Sequence, residues 1–246
     1  MKHTPSKAFE IVSEFEAAIG EYTGAPSVVA VNSCTMALRL CLDWHSFNGL
    51  GLTEYEEMYG QPARVSIPKR TYLSVPMQIK KAGFSVAFRD EDWKGAYRLE
   101  PFNVYDSARW FTSGCFGGPI EAKLSEARFV CVSFHATKTL GLKRQRNIGH
   151  SGGIKAGEPL WDIEQGGAIL HNAGAGADHF FRAMRHDGRI EGQPISNESV
   201  RLLGHHCYMN PTSARLGLKL LARLPKHNPP LPNDGYPDLS TFEVFK

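Results

Sequence analysis

The chain has 246 residues, 42% of them hydrophobic, enough to bury a full core in one large domain. A formal net charge of +3 is too small to argue for nucleic acid or a membrane surface as partner, and no run of about 18 apolar residues exists to span a bilayer. The stretch from Met1 to Val12 lacks an apolar signal core, so a cytosolic (cytoplasmic) location is expected. The five cysteines (Cys34, Cys41, Cys115, Cys131 and Cys207) contain no CxxC spacing, which argues against a disulfide framework and a structural zinc site. Cys41 and Cys131 stand among apolar residues and read as core. His205, His206 and Cys207 are adjacent, but neighbouring side chains on a regular element point apart and no second ligand cluster joins them, so no metal is expected.

In chain order, Phe9, Val12, Phe15 and Ile19 form a helical stripe that Gly20 and Gly24 bring to an end. Ser27 to Asn32 reads as a short buried strand, and the segment from Ser33 to Trp44 has helical spacing, giving a strand–turn–helix around Asn32 to Thr35. Residues 46–62 look like a variable connection. Ala63 to Pro68 is a strand stopped by Pro68, Tyr72 to Lys81 a helix closed by Gly83, and Phe84 to Asp90 a third strand. Phe102 to Ala108, Phe129 to Phe134 and Gly166 to Asn172 are the fourth, fifth and sixth strands. Ala175 to Arg185 is a helix, and Asn210 with Pro211 caps another whose apolar side carries Leu216, Leu220, Leu221 and Leu224 before Pro225. The resulting domain plan is a body over residues 1–224 and a proline-rich tail over residues 225–246, extended and draped over the body or a partner. Strands alternating with helices predict an α/β fold with helices on both faces of the sheet.

In such a sheet, ligands bind beyond the C-terminal ends of the strands. Three strand ends here are polar: Ser33 with Thr35, Asp106, and Ser133 with Lys138. A lysine in a loop held by a rigid sheet can be an imine-forming amine, as in a pyridoxal-phosphate (PLP) enzyme, or a solvated surface charge. Such an enzyme also requires a carboxylate at the pyridine nitrogen, donors for a dianionic phosphate, and an apolar surface against the ring. Asp106 is the candidate carboxylate, or a turn-forming aspartate. Ser33, Cys34 and Thr35 open a helix and offer amides and hydroxyls to a phosphate, or an ordinary N-cap. Ser133 is a hydroxyl donor or a strand cap, and Tyr72 a stacking ring or core.

The segment AVNSCTMALRLCL is similar to the phosphate segment of the DegT/DnrJ/StrS family of nucleotide-sugar aminotransferases, which reads Asn-Ser-Gly-Thr-x-Ala-Leu. PKRTYLS, NVYDSARW and SFHATKTL resemble that family's aromatic, aspartate and lysine segments, and GGAILHN, RAMRHDGR and GHHCYMNPTSARLGLKLLARL resemble later ones in the same order. The likeness runs from about residue 9 to residue 225. It implies the large domain of a fold type I PLP-dependent transferase, with a mixed, mostly parallel sheet flanked by helices. It implies pyridoxal 5'-phosphate held by Lys138 as an internal aldimine, with Lys138 then shuttling protons at the substrate carbon. It also implies Asp106 at the pyridinium, Thr35, the Cys34 amide and Ser133 on the phosphate, and Tyr72 against the ring. The expected activity is transfer of an amino group, with glutamate as donor, to a keto-sugar nucleotide, in a homodimer.

Several positions depart from the family pattern. Cys34 stands where glycine is usual. Arg109 replaces a glutamine near the pyridine hydroxyl, where a permanent cation favours the phenolate. His206 stands where an asparagine reaches the neighbouring subunit's phosphate. Residues of about 143–164 look like a glycine-rich, basic insertion, a lid or phosphate grip or else a surface loop. Family members run on into a small C-terminal domain, whereas this chain stops soon after Leu224; the insertion, the tail or a second subunit would then supply part of the pocket. Two alternatives remain at this point: a PLP enzyme for another amine or keto substrate, such as a modified nucleotide or an amino acid, and a non-catalytic binding or assembly protein.

Overall fold

The computed structural model describes residues 7–48, 63–117, 124, 127–145, 161–233 and 235–246. The N-terminal helix α1 (Lys7–Thr23) is longer than its apolar stripe. It leads into β1 (Ser27–Val31), and Ser33 then caps α2 (Cys34–Phe47) by accepting from the Met36 amide. After β2 (Arg64–Pro68) comes α3 (Ser74–Lys81), which starts two residues later than its sequence pattern predicts. The strands β3 (Ser85–Arg89), β4 (Tyr97–Leu99), β5 (Val104–Asp106) and β6 (Phe129–Ser133) follow. A short hairpin pairs β7 (Lys143–Gln145) with β8 (Trp161–Ile163), and β9 (Gly167–His171), α4 (Ala175–Arg185) and α5 (Pro211–Leu221) complete the body. Most of the connection over 46–62 and of the insertion over 143–164 lies outside the described residues.

The central sheet has the order β1-β9-β6-β5-β4. β9 runs antiparallel to both β1 and β6, β5 is parallel to β6, and β4 is antiparallel to β5. Reciprocal backbone bonds between Ser66 and Glu100 then join the parallel pair β2–β3 to the β4 edge. Across this extended sheet β1, β6, β5, β2 and β3 share one direction, and only β9 and β4 oppose it. This is the expected mixed, mostly parallel α/β fold. β4 escapes the sequence pattern because three residues, Tyr-Arg-Leu, are too few to show a period.

Both sheet faces are covered. Val29, Val31, Cys131 and Ile169 point to one side, where they pack with residues of α2, α3 and α4 such as Leu38, Ile79 and Phe181. Val28, Ala30, Val130, Val132 and Leu170 point to the other, against Phe15 of α1 and Ala214 of α5. Burial on two faces explains why β1, β6 and β9 read as apolar runs without alternation. α1 and α5 come very close, because Gly217 faces the Phe15 ring with no room for a Cβ.

The proline-rich tail is neither free nor detached. The Tyr22 hydroxyl donates to the Pro225 carbonyl at 2.5 Å, the Asn228 amide to Thr112 Oγ1 at 2.9 Å, and Lys80 to the Val244 carbonyl at 3.0 Å. No helix among the described residues is long and apolar enough to cross a membrane.

One buried charge pair pins α1 to α4. Arg185, 2% exposed, donates to Glu16 Oε1 at 2.5 Å and to the Ala30 carbonyl at 2.7 Å, and Arg182 reaches Glu16 Oε2 at 2.8 Å. Glu16 in turn accepts from the Ala30 amide of β1 at 2.8 Å. Truncating Glu16 leaves the buried Arg185 only the more exposed Glu191 carboxylate at 2.9 Å, and breaking a buried pair costs roughly 3–5 kcal/mol. Glu16→Ala is therefore expected to lower unfolding free energy by about that amount, read as a reduced denaturant midpoint at neutral pH.

Candidate active site

β1, β5 and β6 run parallel and end on the same side of the sheet, and their exits converge on a cavity of about 320 Å³. That volume lies at the small end for ligand pockets, roughly 300–1,000 Å³. Eight of the nine residues singled out in the sequence line it: Ser33, Cys34 and Thr35 after β1, Asp106 ending β5 and Arg109 beyond it, Ser133 ending β6 and Lys138 beyond it, and Tyr72 before α3. The ninth, His206, does not join them within its own chain. It lies on a bridge to His186 with its Nδ1 3.1 Å from Asp187 Oδ2, and its side chain is largely exposed.

The β1 exit is held by close packing. Gly167 on β9 presses against the Ser33–Cys34 backbone so tightly that a Cβ there would collide with the Cys34 nitrogen and the Ser33 carbonyl carbon. The first turn of α2 thereby presents its amides to the cavity, where the helix dipole favours an anion. Thr35 Oγ1 lies 2.9 Å from Ser74 Oγ, tying this turn to the start of α3. Burial, and then the nearby Asp106, push the Cys34 thiol well up, so at neutral pH the residue contributes its amide and not a thiolate.

Asp106 is buried at the end of β5. Its Oδ1 accepts from the Ala108 amide at 2.9 Å and its Oδ2 from the Tyr97 hydroxyl at 2.8 Å, with Thr71 Oγ1 a further 2.6 Å beyond Tyr97. Burial still raises its pKa above the usual carboxylate value, and the Ala108 amide, Tyr97 and Lys138 only partly offset it. Among the described residues the carboxylate forms no ion pair.

Lys138 leaves a turn after β6 in which its amide donates to the His135 carbonyl at 2.8 Å. Half-buried in the cavity, it has a pKa below the ordinary lysine value. Desolvation is the main cause, then the Arg109 cation, with Asp106 and Cys34 opposing. Arg109 Nε is itself buried without a hydrogen-bond partner. The donor set matches the demands of PLP: helix amides and hydroxyls for a phosphate, an under-compensated carboxylate for a protonated ring nitrogen, and a primary amine with lowered proton affinity.

Sequence reasoning passed over Tyr97, Trp93 and Tyr236. Tyr97 supports Asp106 from β4, the strand too short to show a period. Trp93 and Tyr236 line the cavity mouth, with their rings stacked 6.3 Å apart. An isolated aromatic in the polar tail segment around Gly235 and Pro237 was the available signal. Tyr72, 59% exposed, stands at the same mouth with its ring 6.5 Å from that of Tyr236.

Because the folded-state pKa of Asp106 lies above the unfolded value, the fold holds the proton more tightly than the unfolded chain does, and ionisation costs stability as pH rises through that range. Asp106→Asn, which keeps the shape and one acceptor while its NH2 can donate to Tyr97 as Tyr97 turns its hydrogen to Thr71, is expected to stabilise the chain at pH 7. The gain should fade as pH falls below the carboxylate range, as followed by urea unfolding at several pH values.

Comparison with known proteins bears on the family and the fold. Residues 5–101 match the DegT/DnrJ/EryC1/StrS aminotransferase family. Similar solved structures include PseC from Helicobacter pylori, an aminotransferase involved in the biosynthesis of pseudoaminic acid (TM-score 0.60, 17% identity, covering 92% of this chain and 60% of that one). The sugar aminotransferase CalS13 from Micromonospora echinospora gives a TM-score of 0.59 at 17% identity, over 87% of this chain and 60% of its own. NtdA from Bacillus subtilis, solved with bound cofactor PMP, gives a TM-score of 0.58 at 15% identity, over 87% of this chain and 48% of its own. The chain therefore spans about 60% of the length of the first two structures. No curated protein matches it by sequence. Through residues 5–101 this chain is matched to the DegT/DnrJ/EryC1/StrS aminotransferase family, and its described residues carry the fold of PLP-dependent aminotransferases.

Proposed function

We propose that this chain is a PLP-dependent aminotransferase that aminates a keto-sugar nucleotide, with glutamate as the amino donor. The observation that carries the reading is the meeting of Lys138, Asp106 and the α2 N-terminus in one cavity. The family matched by residues 5–101, and the sugar aminotransferases among the similar structures, support the sugar substrate.

In this reading the first turn of α2, with Thr35 and Ser133, holds the cofactor phosphate, and Asp106 faces the ring nitrogen. Tyr72 lies against the ring. When bound, PLP supplies the electron sink for bond cleavage at the amine-bearing carbon. Lys138, its proton affinity lowered by desolvation and then by Arg109, is the amine that holds the cofactor and the base that moves the proton at the substrate carbon. Tyr97 and the Ala108 amide keep the Asp106 carboxylate aimed.

The test is visible absorbance after PLP addition, followed by borohydride reduction and peptide mapping. A new absorbance band and a reduced adduct on Lys138, both absent in Lys138→Ala, are expected. No adduct would sink the enzymatic reading and leave a binding or assembly protein on this fold. With the pyridoxamine form in hand, keto-sugar nucleotides should regenerate PLP; consumption only by another keto compound would replace the sugar substrate.

The same reading has the chain act as a homodimer. Ile195 is 77% exposed and Leu203 98%, on the segment that carries His206, and large apolar groups this exposed favour a partner. Leu203→Glu is expected to shift the protein toward monomer in analytical ultracentrifugation and to weaken PLP binding if His206 serves the neighbouring copy's phosphate.

A further inference from the structure

The tail crosses the cavity mouth between two anchors. On the near side, the Leu231 amide donates to the Arg109 carbonyl at 2.8 Å, and Asn233 Nδ2 donates to the Trp93 carbonyl at 2.6 Å. On the far side, Asp238 meets Lys69 at 3.3 Å, the Leu239 amide donates to the Lys69 carbonyl at 2.9 Å, and Phe245 is buried beside Phe88. Tyr236, between them, stacks on Trp93 with an interplanar angle of 17° and lines the cavity. The Arg109 guanidinium carbon stands 5.8 Å from the Tyr236 ring centroid, within range of a cation–π contact. Arg109 forms no ion pair among the described residues, and its Nε is buried without a partner. A half-buried guanidinium without a counter-ion gains from an aromatic face beside it, and Tyr236 supplies one.

We propose that Tyr236 is a positioning residue that holds the Arg109 guanidinium in the cavity near Lys138, with Nε free to take an anionic oxygen of the ligand. The tail is then a wall of the site. Arg109 disfavours the protonated form of Lys138, against the opposing charge of Asp106 and of the Cys34 thiol. The other titratable groups around Lys138 are His135 on its own turn and the Tyr72 and Tyr236 phenols at the mouth. Losing Tyr236 releases Arg109 toward solvent and returns proton affinity to Lys138.

This inference rests on the preceding reading only for the ligand's identity, so its test uses the full chain without cofactor, and a failure to bind PLP leaves it intact. The pH dependence of Lys138 acylation by acetic anhydride, quantified by peptide mapping, is compared in the parent, Tyr236→Leu, Arg109→Gln and the double variant. Each single change is expected to raise the midpoint by about one pH unit, the scale of one nearby charge in a partly buried site. The double variant should rise no further than Arg109→Gln, the signature of two residues acting as one. An unmoved midpoint in Tyr236→Leu, or a Tyr236→Leu shift of undiminished size when added to Arg109→Gln, overturns the proposal. Should Tyr236→Leu fail to fold, carbon-13 titration of the Tyr236 phenol decides. Arg109 holds that phenol's pKa down against burial, so Arg109→Gln should raise it, and no change would refute the contact.

Discussion

A sheet buried on both faces is the constraint on which the site depends. Because α2, α3 and α4 cover one side and α1 and α5 the other, water and ligands meet β1, β5 and β6 only at their ends. Those three strands run parallel, so their polar exits fall on one side. Gly167 shows how tight the tolerance is: the strand that separates β1 from β6 leaves no room for a methyl group at the Ser33 turn. Packing thus delivers the helix amides, the carboxylate and the lysine to one cavity before any ligand is present.

The cavity's electrostatics follow from desolvation. Removing Asp106 and Lys138 from water penalises the charged form of each, raising the acid's pKa and lowering the amine's. Tyr97 and the Ala108 amide recover part of the carboxylate's loss, whereas Arg109 deepens the lysine's. A ligand with an anionic phosphate and a protonated ring nitrogen complements this arrangement.

The contrast with the Glu16–Arg185 pair is instructive. There a buried guanidinium has two carboxylates and a carbonyl within reach and serves to lock helices to β1. Arg109 has an aromatic ring and an unpartnered Nε, and it faces a cavity. Both leave Nε without a partner, so the difference lies elsewhere: Arg185 meets carboxylates through its terminal nitrogens, whereas Arg109 has no ion pair among the described residues and lines a cavity.

The sequence by itself determined the elements and the chemistry at their ends. Doubly buried strands show as apolar runs, caps such as Ser33 and Asn210 mark helix starts, Asp106 ends β5 and Lys138 stands in the turn after β6. Local patterns suffice there because the physical cause is local. Only the tertiary structure decided that β9 lies between β1 and β6, that Tyr97 reaches Asp106 from a three-residue strand, and that the tail returns to bring Tyr236 to Arg109. Tyr236 and Arg109 stand far apart along the chain, and their contact depends on bonds made by Leu231, Asn233 and Asp238 to the body. No periodicity encodes such a contact, because its energy comes from long-range packing and not from the residues on either side.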